Sequence, residues 1–278
     1  MNLIENVDWQ ITSQCSRCCS YCFGPKEKPS VSLSVAYKII DQLAEIGTKQ
    51  IGITGGEPLL YPFFPELINH ISQSGIRIYL STNCDYYATF SDLIKSNVSI
   101  LGIPLDGGNP NTHDRLRGKD SFSSVIHVLE DIQNSDSATK IKIGTVITNE
   151  NYAELDKIEQ LLAPYREKII FWKLYELICY QRNKEGVAKL SVNPIDTTGL
   201  GELIGKEKVI YDTLEMRDRS YFFISPNGDV FVPLLMKNCS KEIIIGNMVS
   251  DGMETIVKRF NQIVNTEGYN SECRYMRV

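Results

Sequence analysis

Three cysteines, Cys15, Cys19 and Cys22, occur in the spacing C-x3-C-x2-C within the segment CSRCCSYC. Three thiolates on a short loop can face one centre, and soft sulfur ligands suit iron–sulfur clusters or zinc. A closed structural zinc site needs four ligands, and Cys18 does not easily converge with the others because it is adjacent to Cys19. The spacing therefore favours a [4Fe-4S] cluster with three protein ligands and one open iron. A zinc loop and buried structural thiols are the alternatives.

A second motif, Gly55-Gly56-Glu57-Pro58, follows the second predicted strand. Glycine lets the backbone approach a ligand closely, and an anionic glutamate forms a charge-assisted hydrogen bond with an ammonium group. A plain turn between a strand and a helix is the alternative, since Gly-Gly and Pro are common in turns. The position of the motif, about one βα unit after the cysteines, favours a ligand-binding role.

These motifs together resemble the radical S-adenosylmethionine (radical SAM) superfamily. Its signature is the C-x3-C-x2-C loop after the first strand, with an aromatic residue, here Tyr21, before the third cysteine. The resemblance covers roughly residues 7 to 175. It implies a [4Fe-4S] cluster that binds SAM and, once reduced, cleaves it to methionine and a 5'-deoxyadenosyl radical. That radical then abstracts hydrogen from a substrate. The resemblance further implies that the GGE backbone and Glu57 hold the SAM amino group.

Further SAM contacts are implied by the ends of the later strands. The third strand ends LSTNC, where Cys84 replaces the glycine of many relatives and leaves the turn geometry open. The fourth strand leads into PLDGGNPNTHDRLRG, a segment with a polar set that includes His113, Asp114 and Arg115, and with Arg117 as the candidate for the SAM carboxylate. A salt-bridged surface loop is the alternative. The predicted SAM-binding residues are Tyr21, Gly55, Gly56, Glu57, Pro58, Ser81, Asn83, Asp106, Arg117, Thr148 and Asn149.

Candidate substrate residues come from the sixth strand, FWKLYE, and the segment after it. Lys173, Tyr175 and Glu176 are predicted to reach the substrate, and Arg182 could meet a phosphate or a carboxylate. Cys179 and Cys239 are candidate catalytic hydrogen donors, because a positioned thiol can return a hydrogen atom to a substrate radical. Buried, inert thiols are the alternative for both.

The elements that must position these residues alternate between strand and helix. Apolar residues at period two predict strands at 7–12, 50–54, 77–81, 98–105, 141–147 and 169–174. Helical spacing predicts helices near 33–44, 63–74, 90–96, 122–133 and 151–162, the last with a capping box of Asn151 and Glu154. Alternation of this kind implies parallel strands with chemistry at their carboxyl ends. The predicted fold class is α/β: a partial (β/α)6 radical SAM barrel over residues 1–180, with a small α+β extension over 181–278 packed on it.

The predicted extension contains a hairpin around Pro226-Asn227-Gly228-Asp229 and a later Ile245-Gly246-Asn247 segment. Both resemble the SPASM or twitch extension of radical SAM peptide maturases. The cysteine expected after the hairpin is absent, and Cys179, Cys239 and Cys273 form no C-x2-C pair, so a single cluster is expected. A weaker resemblance, through Trp172-Lys173-Leu174-Tyr175, is to viperin-type enzymes, which act on nucleoside triphosphates.

The composition sets the remaining bounds. The chain has 278 residues, a net charge of −5 and eight cysteines. It has no apolar run near the ~20 residues of a membrane span, and its first residues do not resemble a signal peptide. We therefore expect a cytoplasmic protein that binds neither membrane nor nucleic acid polymer. The expected substrate is a small molecule such as a nucleotide, and a peptide, in a maturase or epimerase, is the alternative. The expected reductant is an electron donor such as flavodoxin or ferredoxin. A zinc or iron–sulfur scaffold is the non-enzyme alternative.

Overall fold

A computed structural model describes residues 4–270, whose strands form a single ten-stranded sheet in the order β10-β9-β8-β1-β2-β3-β4-β5-β6-β7. The strands are β1 (Asn6–Thr12), β2 (Gln50–Gly55), β3 (Arg77–Ser81), β4 (Ile100–Pro104), β5 (Lys140–Val146), β6 (Ile169–Tyr175), β7 (Val209–Asp212), β8 (Phe223–Ile224), β9 (Asp229–Leu234) and β10 (Lys241–Asn247). The helices are α1 (Leu33–Glu45), α2 (Phe64–Gln73), α3 (Tyr87–Asn97), α4 (Pro110–Arg117), α5 (Ser121–Gln133), α6 (Leu155–Leu162), α7 (Lys184–Leu190), α8 (Leu214–Arg217), α9 (Met253–Ile263) and α10 (Thr266–Asn270).

The first six strands are parallel and adjacent in chain order, and a helical segment follows each of the first five before the next strand begins. The helices pack one apolar stripe on the sheet: α1 buries Ile39, Ile40 and Leu43. The Ser32 side chain caps α1 by accepting a hydrogen bond from Val35 N. The predicted partial barrel is therefore confirmed, and the carboxyl ends of its strands meet at one edge.

The later strands extend both sides of this sheet. β7 pairs in parallel with β6, and β8 pairs in parallel with β1. The predicted hairpin is present, because β8 and β9 are antiparallel and the turn between them includes Asn227 and Gly228. β10 then pairs antiparallel with β9. The last third of the described chain thus adds strands beside both outer strands of the barrel, β6 and β1.

Two polar segments are helical although the sequence pattern indicates loops. In α4, Pro110 occupies the first turn and the Asn109 side chain accepts a hydrogen bond from Thr112 N, so capping rather than an apolar stripe starts this helix. The second segment is α7, in a region that reads as a polar turn. β7 was also not predicted, because its four residues are too few to show a period.

The predicted capping box at residues 151–154 is wrong. The Asn151 side chain does not cap the following helix; it accepts from Thr148 N and donates to the carbonyl oxygens of Asp106 and Val146. The Glu154 carboxylate accepts from Gly108 N instead of reaching back to Asn151. Both side chains thus form hydrogen bonds with backbone groups near the strand ends and do not cap the helix.

The helices of the described part of the chain include none that is long and apolar enough to cross a membrane.

Candidate active site

A cavity of about 310 Å³ opens where the carboxyl ends of the barrel strands meet the cysteine loop, defined here as residues 13–24. The extension supplies a third wall, including Phe223, Pro233 and Leu235. The cavity brings together eleven of the predicted site residues: Cys15, Cys19, Tyr21, Cys22, Gly55, Gly56, Ser81, Asn83, Arg117, Tyr175 and Glu176.

The three cysteines of the motif line this cavity, and Cys18 does not: it is exposed on a separate surface depression. Backbone amides point at two of the sulfurs, with Arg17 N 3.4 Å from Cys15 Sγ and Gly24 N 3.4 Å from Cys22 Sγ. Amide hydrogen bonds to sulfur are among the features that tune iron–sulfur clusters. Burial raises the pKa of the Cys15 and Cys19 thiols, so a bound metal would be needed to hold them as thiolates.

The donor set therefore fits a cluster. Among residues 4–270, no three Cys, His, Asp or Glu side chains converge on a point where one metal ion could bind. The thiols of Cys15, Cys19 and Cys22 instead share the wall of a common space. A group with several iron atoms matches this arrangement better than a single zinc ion does.

The segment after β6 supports the back of the cysteine loop. Asn183 is buried; its Nδ2 donates to Tyr21 O at 3.0 Å and to Ile178 O at 2.9 Å, and its Oδ1 accepts from Tyr180 N. Arg182 was predicted to meet substrate, but it does not line the cavity. Its guanidinium donates to Phe23 O, stacks on the Tyr180 ring and pairs with Glu242. Sequence reasoning missed Asn183, because its contact with the cysteine loop, to Tyr21, is with a residue far away in the chain.

The two glycines of the GGE motif pack against the start of the cysteine loop. Gly56 N donates to Thr12 O and Glu57 N donates to Gln14 O, both at 2.7 Å. A Cβ on Gly56 would lie 2.1 Å from Gln14 O, so only glycine allows this approach. The glycine at position 56 is thus required by the close approach of the cysteine loop rather than by a ligand. Both glycines also line the cavity.

The Glu57 side chain is fully buried and does not line the cavity. Its carboxylate accepts from Asn83 N at 2.6 Å, from Thr82 Oγ1 at 2.7 Å and from Leu59 N at 3.1 Å. Burial raises its pKa to about 7. The structure therefore places Glu57 as a tie between β2 and the end of β3, and Pro58 begins the short helical turn that follows.

The end of β3 keeps the turn expected of a glycine. Cys84 is buried and has a φ of 76°, the left-handed region that glycine usually occupies. This turn lets Asn83 face the cavity, where its Nδ2 donates to Ser16 Oγ at 3.0 Å and lies 3.8 Å from Cys15 Sγ. Ser81 lines the same wall.

Asp106, two residues after the end of β4, forms hydrogen bonds with two residues of the cavity lining, Tyr21 and Arg117. It accepts from Tyr21 Oη and from Arg117 Nε, each at 2.5 Å, and from Val146 N at 2.7 Å. Burial opposes the Arg117 charge, but Asp106 outweighs it and holds the guanidinium pKa above its usual range. Arg117 is thus a fixed cation at the cavity wall, next to the cysteine loop.

The other polar residues predicted at the ends of β4 and β5 contact groups of the protein itself. The His113 ring accepts from Asp106 N at 3.0 Å, and burial lowers its pKa to about 4, so the ring is neutral. Thr148 is fully buried, and Asn149 donates to Lys189 O; neither lines the cavity. The exposed Arg115 pairs with Glu150 at 3.1 Å.

Two cations that sequence reasoning missed, Lys142 and Arg217, also line the cavity, and we call this part of the lining its floor. Lys142 on β5 donates to Tyr79 Oη at 2.9 Å and lies 4.7 Å from the centre of the Tyr79 ring. Arg217 lies 5.3 Å from the centre of the Tyr175 ring and donates to Glu176 O at 2.6 Å. Burial opposes the charge of Lys142, but Tyr175 and Tyr79 outweigh it and raise the pKa of the ammonium. In the described part of the chain, neither cation forms an ion pair with a carboxylate.

One available signal pointed to Lys142. In β5, KIKIGTV, the side chains alternate, and Lys142, Gly144 and Val146 share the face opposite to the buried isoleucines. A lysine on that face of a central strand must enter the barrel. Arg217 carried no such signal, because a short helix distant in sequence presents it.

The other predicted residues take different positions. Lys173 is buried near Asp212, with Nζ 3.7 Å from Oδ2, and does not line the cavity. Glu176 lines the cavity, with Oε2 accepting from Leu214 N. Cys179 and Cys239 lie outside the cavity lining, and Cys273 lies outside the described residues.

Comparisons with known proteins extend these observations. The profile of the Radical SAM superfamily matches residues 9–162, more than half of the chain. The mycofactocin maturase MftC of Mycolicibacterium smegmatis is 30% identical over 164 residues, which cover 57% of this chain and 42% of that protein. The chain thus spans less than half the length of that maturase. An S-adenosylmethionine-dependent nucleotide dehydratase of Selenomonas ruminantium is 26% identical over 92% of this chain and 94% of that protein.

Solved structures share the fold. Native anSMEcpe with bound AdoMet and Cp18Cys peptide matches 98% of this chain and 86% of its own, with a TM-score of 0.69 and 16% identity. Streptococcus suis SuiB bound to S-adenosylmethionine matches 99% of this chain and 68% of its own, with a TM-score of 0.67 and 14% identity. At these identities the likeness concerns the fold alone.

Proposed function

This chain belongs to the radical SAM superfamily and is an enzyme, and from that premise we propose that its substrate is a nucleotide. The observation that carries the proposal is the pair of cations, Lys142 and Arg217, at the floor of the cavity. The carboxyl groups of Asp8 and Glu176 line the same partly desolvated space, but no ion pair within residues 4–270 joins Lys142 or Arg217 to a carboxylate, so both cations can bind an anionic ligand. Phosphate groups supply that charge, and the aromatic residues Tyr79 and Tyr175 beside the cations offer flat surfaces for a base or a sugar.

The relatives favour the same substrate class. The nucleotide dehydratase aligns with nearly the whole chain, including the segments that hold Lys142 and Arg217. The maturase aligns with only 57% of it. Lys142 lies in the barrel and Arg217 lies after it, so the dehydratase, whose alignment spans both, is the better guide to the substrate. A dehydration of the nucleotide is the reaction that this likeness suggests.

The cofactors of the family are a [4Fe-4S] cluster and SAM, and when bound they supply reductive cleavage of SAM to a 5'-deoxyadenosyl radical. We infer that Cys15, Cys19 and Cys22 hold the cluster. The backbone of Gly55 and Gly56 and the side chains of Ser81 and Asn83 would contact SAM, since all four line the cavity near the cysteine loop. The three carboxylate contacts of Glu57 leave it to position Asn83.

Arg117 would bind the SAM carboxylate. Asp106 occupies its Nε, which leaves the two terminal nitrogens to face a planar carboxylate. Lys142 and Arg217 would bind the phosphates and orient the nucleotide. The apolar wall formed by Phe23, Phe223 and Leu235 would exclude water, which protects a reactive carbon radical. An external donor such as flavodoxin or ferredoxin would supply the electron.

A peptide substrate, in a maturase or epimerase, is the second candidate. It is favoured by the 30% identity to the mycofactocin maturase over the barrel. In that case Cys179 or Cys239 would serve as a hydrogen donor, and one of them would have to turn from its present contacts toward the cavity.

The test is the formation of 5'-deoxyadenosine from SAM by reconstituted, reduced protein in the presence of single additions. The additions are the four nucleoside triphosphates, the matching nucleosides and a mixture of synthetic peptides. We expect at least one triphosphate to stimulate 5'-deoxyadenosine formation, and its nucleoside to act far more weakly because it lacks the charge that Lys142 and Arg217 bind. Stimulation by a peptide alone would favour the second candidate.

A further inference from the structure

Two cysteines outside the cysteine loop, Cys179 and Cys239, lie on chain segments that backbone contacts hold together. Ser240 N donates to Cys179 O at 2.6 Å, and Cys179 Sγ donates to Asn238 O at 3.1 Å. Cys179 therefore contacts the residues on both sides of Cys239. Both cysteines are free thiols in the structure.

These contacts bring the two residues within reach of a disulfide bond. A carbonyl oxygen lies about 2.4 Å from its own Cα, and an amide nitrogen lies about 2.4 Å from the preceding Cα. With 2.6 Å between Cys179 O and Ser240 N, the two Cα atoms are separated by about 7.4 Å at most, and by less because the three vectors are not collinear. Disulfide-bonded cysteines have Cα atoms about 4.4–6.8 Å apart, so a small adjustment of the loop at residues 235–240 suffices.

The pair lies at the joint between two walls of the cavity. Cys179 is between the cavity residues Ile178 and Tyr180 in the segment after β6. Cys239 is in the loop that connects β9, which ends at the cavity, to β10. A covalent bond between them would tie the barrel to the extension at the rim of the site.

We propose that Cys179 and Cys239 form a reversible disulfide by exchange with a low-molecular-weight disulfide such as oxidised glutathione. The site is distinct from the cysteine loop, and it is independent of the identity of the substrate. A disulfide between Cys179 and Cys239 would form without contact between either thiol and a substrate or cofactor in the cavity.

The exchange runs in two steps. The half-buried Cys239, as thiolate, attacks one sulfur of the small disulfide; that S–S bond breaks, and one glutathione leaves and takes up the proton that Cys239 lost. Cys179 then loses its proton and attacks Cys239 Sγ; the mixed disulfide breaks, and the second glutathione leaves with that proton. Two protein thiols are oxidised and one small disulfide is reduced to two thiols. Burial raises the pKa of the Cys179 thiol, which disfavours its attack on a small disulfide in solution and leaves the first step to Cys239.

The test uses the full chain with its cluster reconstituted, under argon. The protein is treated with oxidised glutathione, the remaining thiols are alkylated, and disulfide-linked peptides are identified by mass spectrometry. We expect a peptide pair joined through Cys179 and Cys239 as the main product, reversed by dithiothreitol, with the visible absorption of the cluster unchanged. Cys18→Ser, which removes an exposed thiol, is the matched control and should leave this linkage intact.

The single variants separate the two steps. Cys179→Ser should stop at a stable mixed disulfide between Cys239 and glutathione, and Cys239→Ser should leave Cys179 unmodified because it is buried. The proposal is overturned if the wild-type protein stops at the mixed disulfide, or if the linked peptides join Cys179 or Cys239 to a cysteine of the loop instead. Failure of the nucleotide assay would leave this result unaffected, since no substrate is present.

Discussion

The substitution Lys142→Met tests the role of the cavity floor. Methionine has a similar length and no charge, so it removes the ammonium while filling much of the same space. In the structure, Lys142 Nζ donates to Tyr79 Oη at 2.9 Å and lies 5.6 Å from the centre of the Tyr175 ring. Lys142 is part of the cavity lining, where we propose that a phosphate binds.

The expected magnitude follows from these contacts. A hydrogen bond to a charged group contributes about 1.5–3 kcal/mol, and about 1.4 kcal/mol corresponds to a factor of ten in affinity. Arg217 stays in place and keeps part of the attraction, so the lower half of that range applies. We expect the KM for the stimulating nucleotide to rise roughly 10- to 40-fold, with a smaller change in kcat. Loss of the contact to Tyr79 should also lower the stability by about 1 kcal/mol.

The assay is 5'-deoxyadenosine formation at several nucleotide concentrations, with SAM saturating. The matched control is Lys140→Met, two residues earlier on the same strand, where the ammonium contacts Glu167 O outside the cavity. Cleavage of SAM in the absence of nucleotide should be the same in all three proteins, because Lys142 is not expected to contact SAM. An unchanged KM in Lys142→Met, or an equal rise in Lys140→Met, would refute the assignment of the floor as the phosphate site.

Three further predictions concern the cysteine loop and its supports. Cys19→Ala should lose most of the about four irons per chain expected for the cluster, measured after anaerobic reconstitution, whereas Cys18→Ala should keep them, since only Cys19 lines the cavity. Asn183→Asp places a carboxylate against the carbonyl oxygens of Tyr21 and Ile178; it should lower the free energy of unfolding by about 1–3 kcal/mol and shift the midpoint potential of the cluster, while an unchanged potential would contradict its support of the loop. The third prediction concerns the cluster-free protein. The pKa of Glu57 is raised to about 7, so the contribution of Glu57 to the free energy of unfolding falls as the pH rises from about 4.5 to 7. The pKa of His113 is lowered to about 4, so the contribution of His113 falls as the pH drops from about 6.5 to 4. Glu57→Gln should therefore leave unfolding free energies that rise more steeply with pH across this window than in the wild type, and an unchanged slope would contradict the raised pKa.

The elements and motifs that depend on local sequence were predictable. Strands such as Ile100–Pro104 and helices such as Leu33–Glu45 carry their apolar period in consecutive residues, and the spacing of Cys15, Cys19 and Cys22 needs no long-range contact to be read. The order of parallel strands then places the ends of β1 to β6 at one edge. These features together located the cavity and most of the residues near the cysteine loop.

The parts that could not be predicted depend on contacts between distant segments. Nothing near Asn183 in the chain indicates that its amide supports Tyr21 from behind. Glu57 has the right type to bind an ammonium group, but the fold directs its carboxylate to Asn83 and Thr82. Residue type and spacing describe what a side chain can bind, and only the packing decides which partner it meets.

The central claim, that a nucleotide reacts in this cavity, is tested most directly by isotope transfer. Reduced protein is incubated with SAM and the stimulating nucleoside triphosphate carrying deuterium at its carbon-bound positions, and the 5'-deoxyadenosine is analysed by mass spectrometry. We expect deuterium to appear in 5'-deoxyadenosine from the wild-type protein, with at least a tenfold smaller amount from Lys142→Met at limiting nucleotide. If 5'-deoxyadenosine formed but contained no deuterium with every one of the four labelled triphosphates, the proposed nucleotide substrate would be wrong.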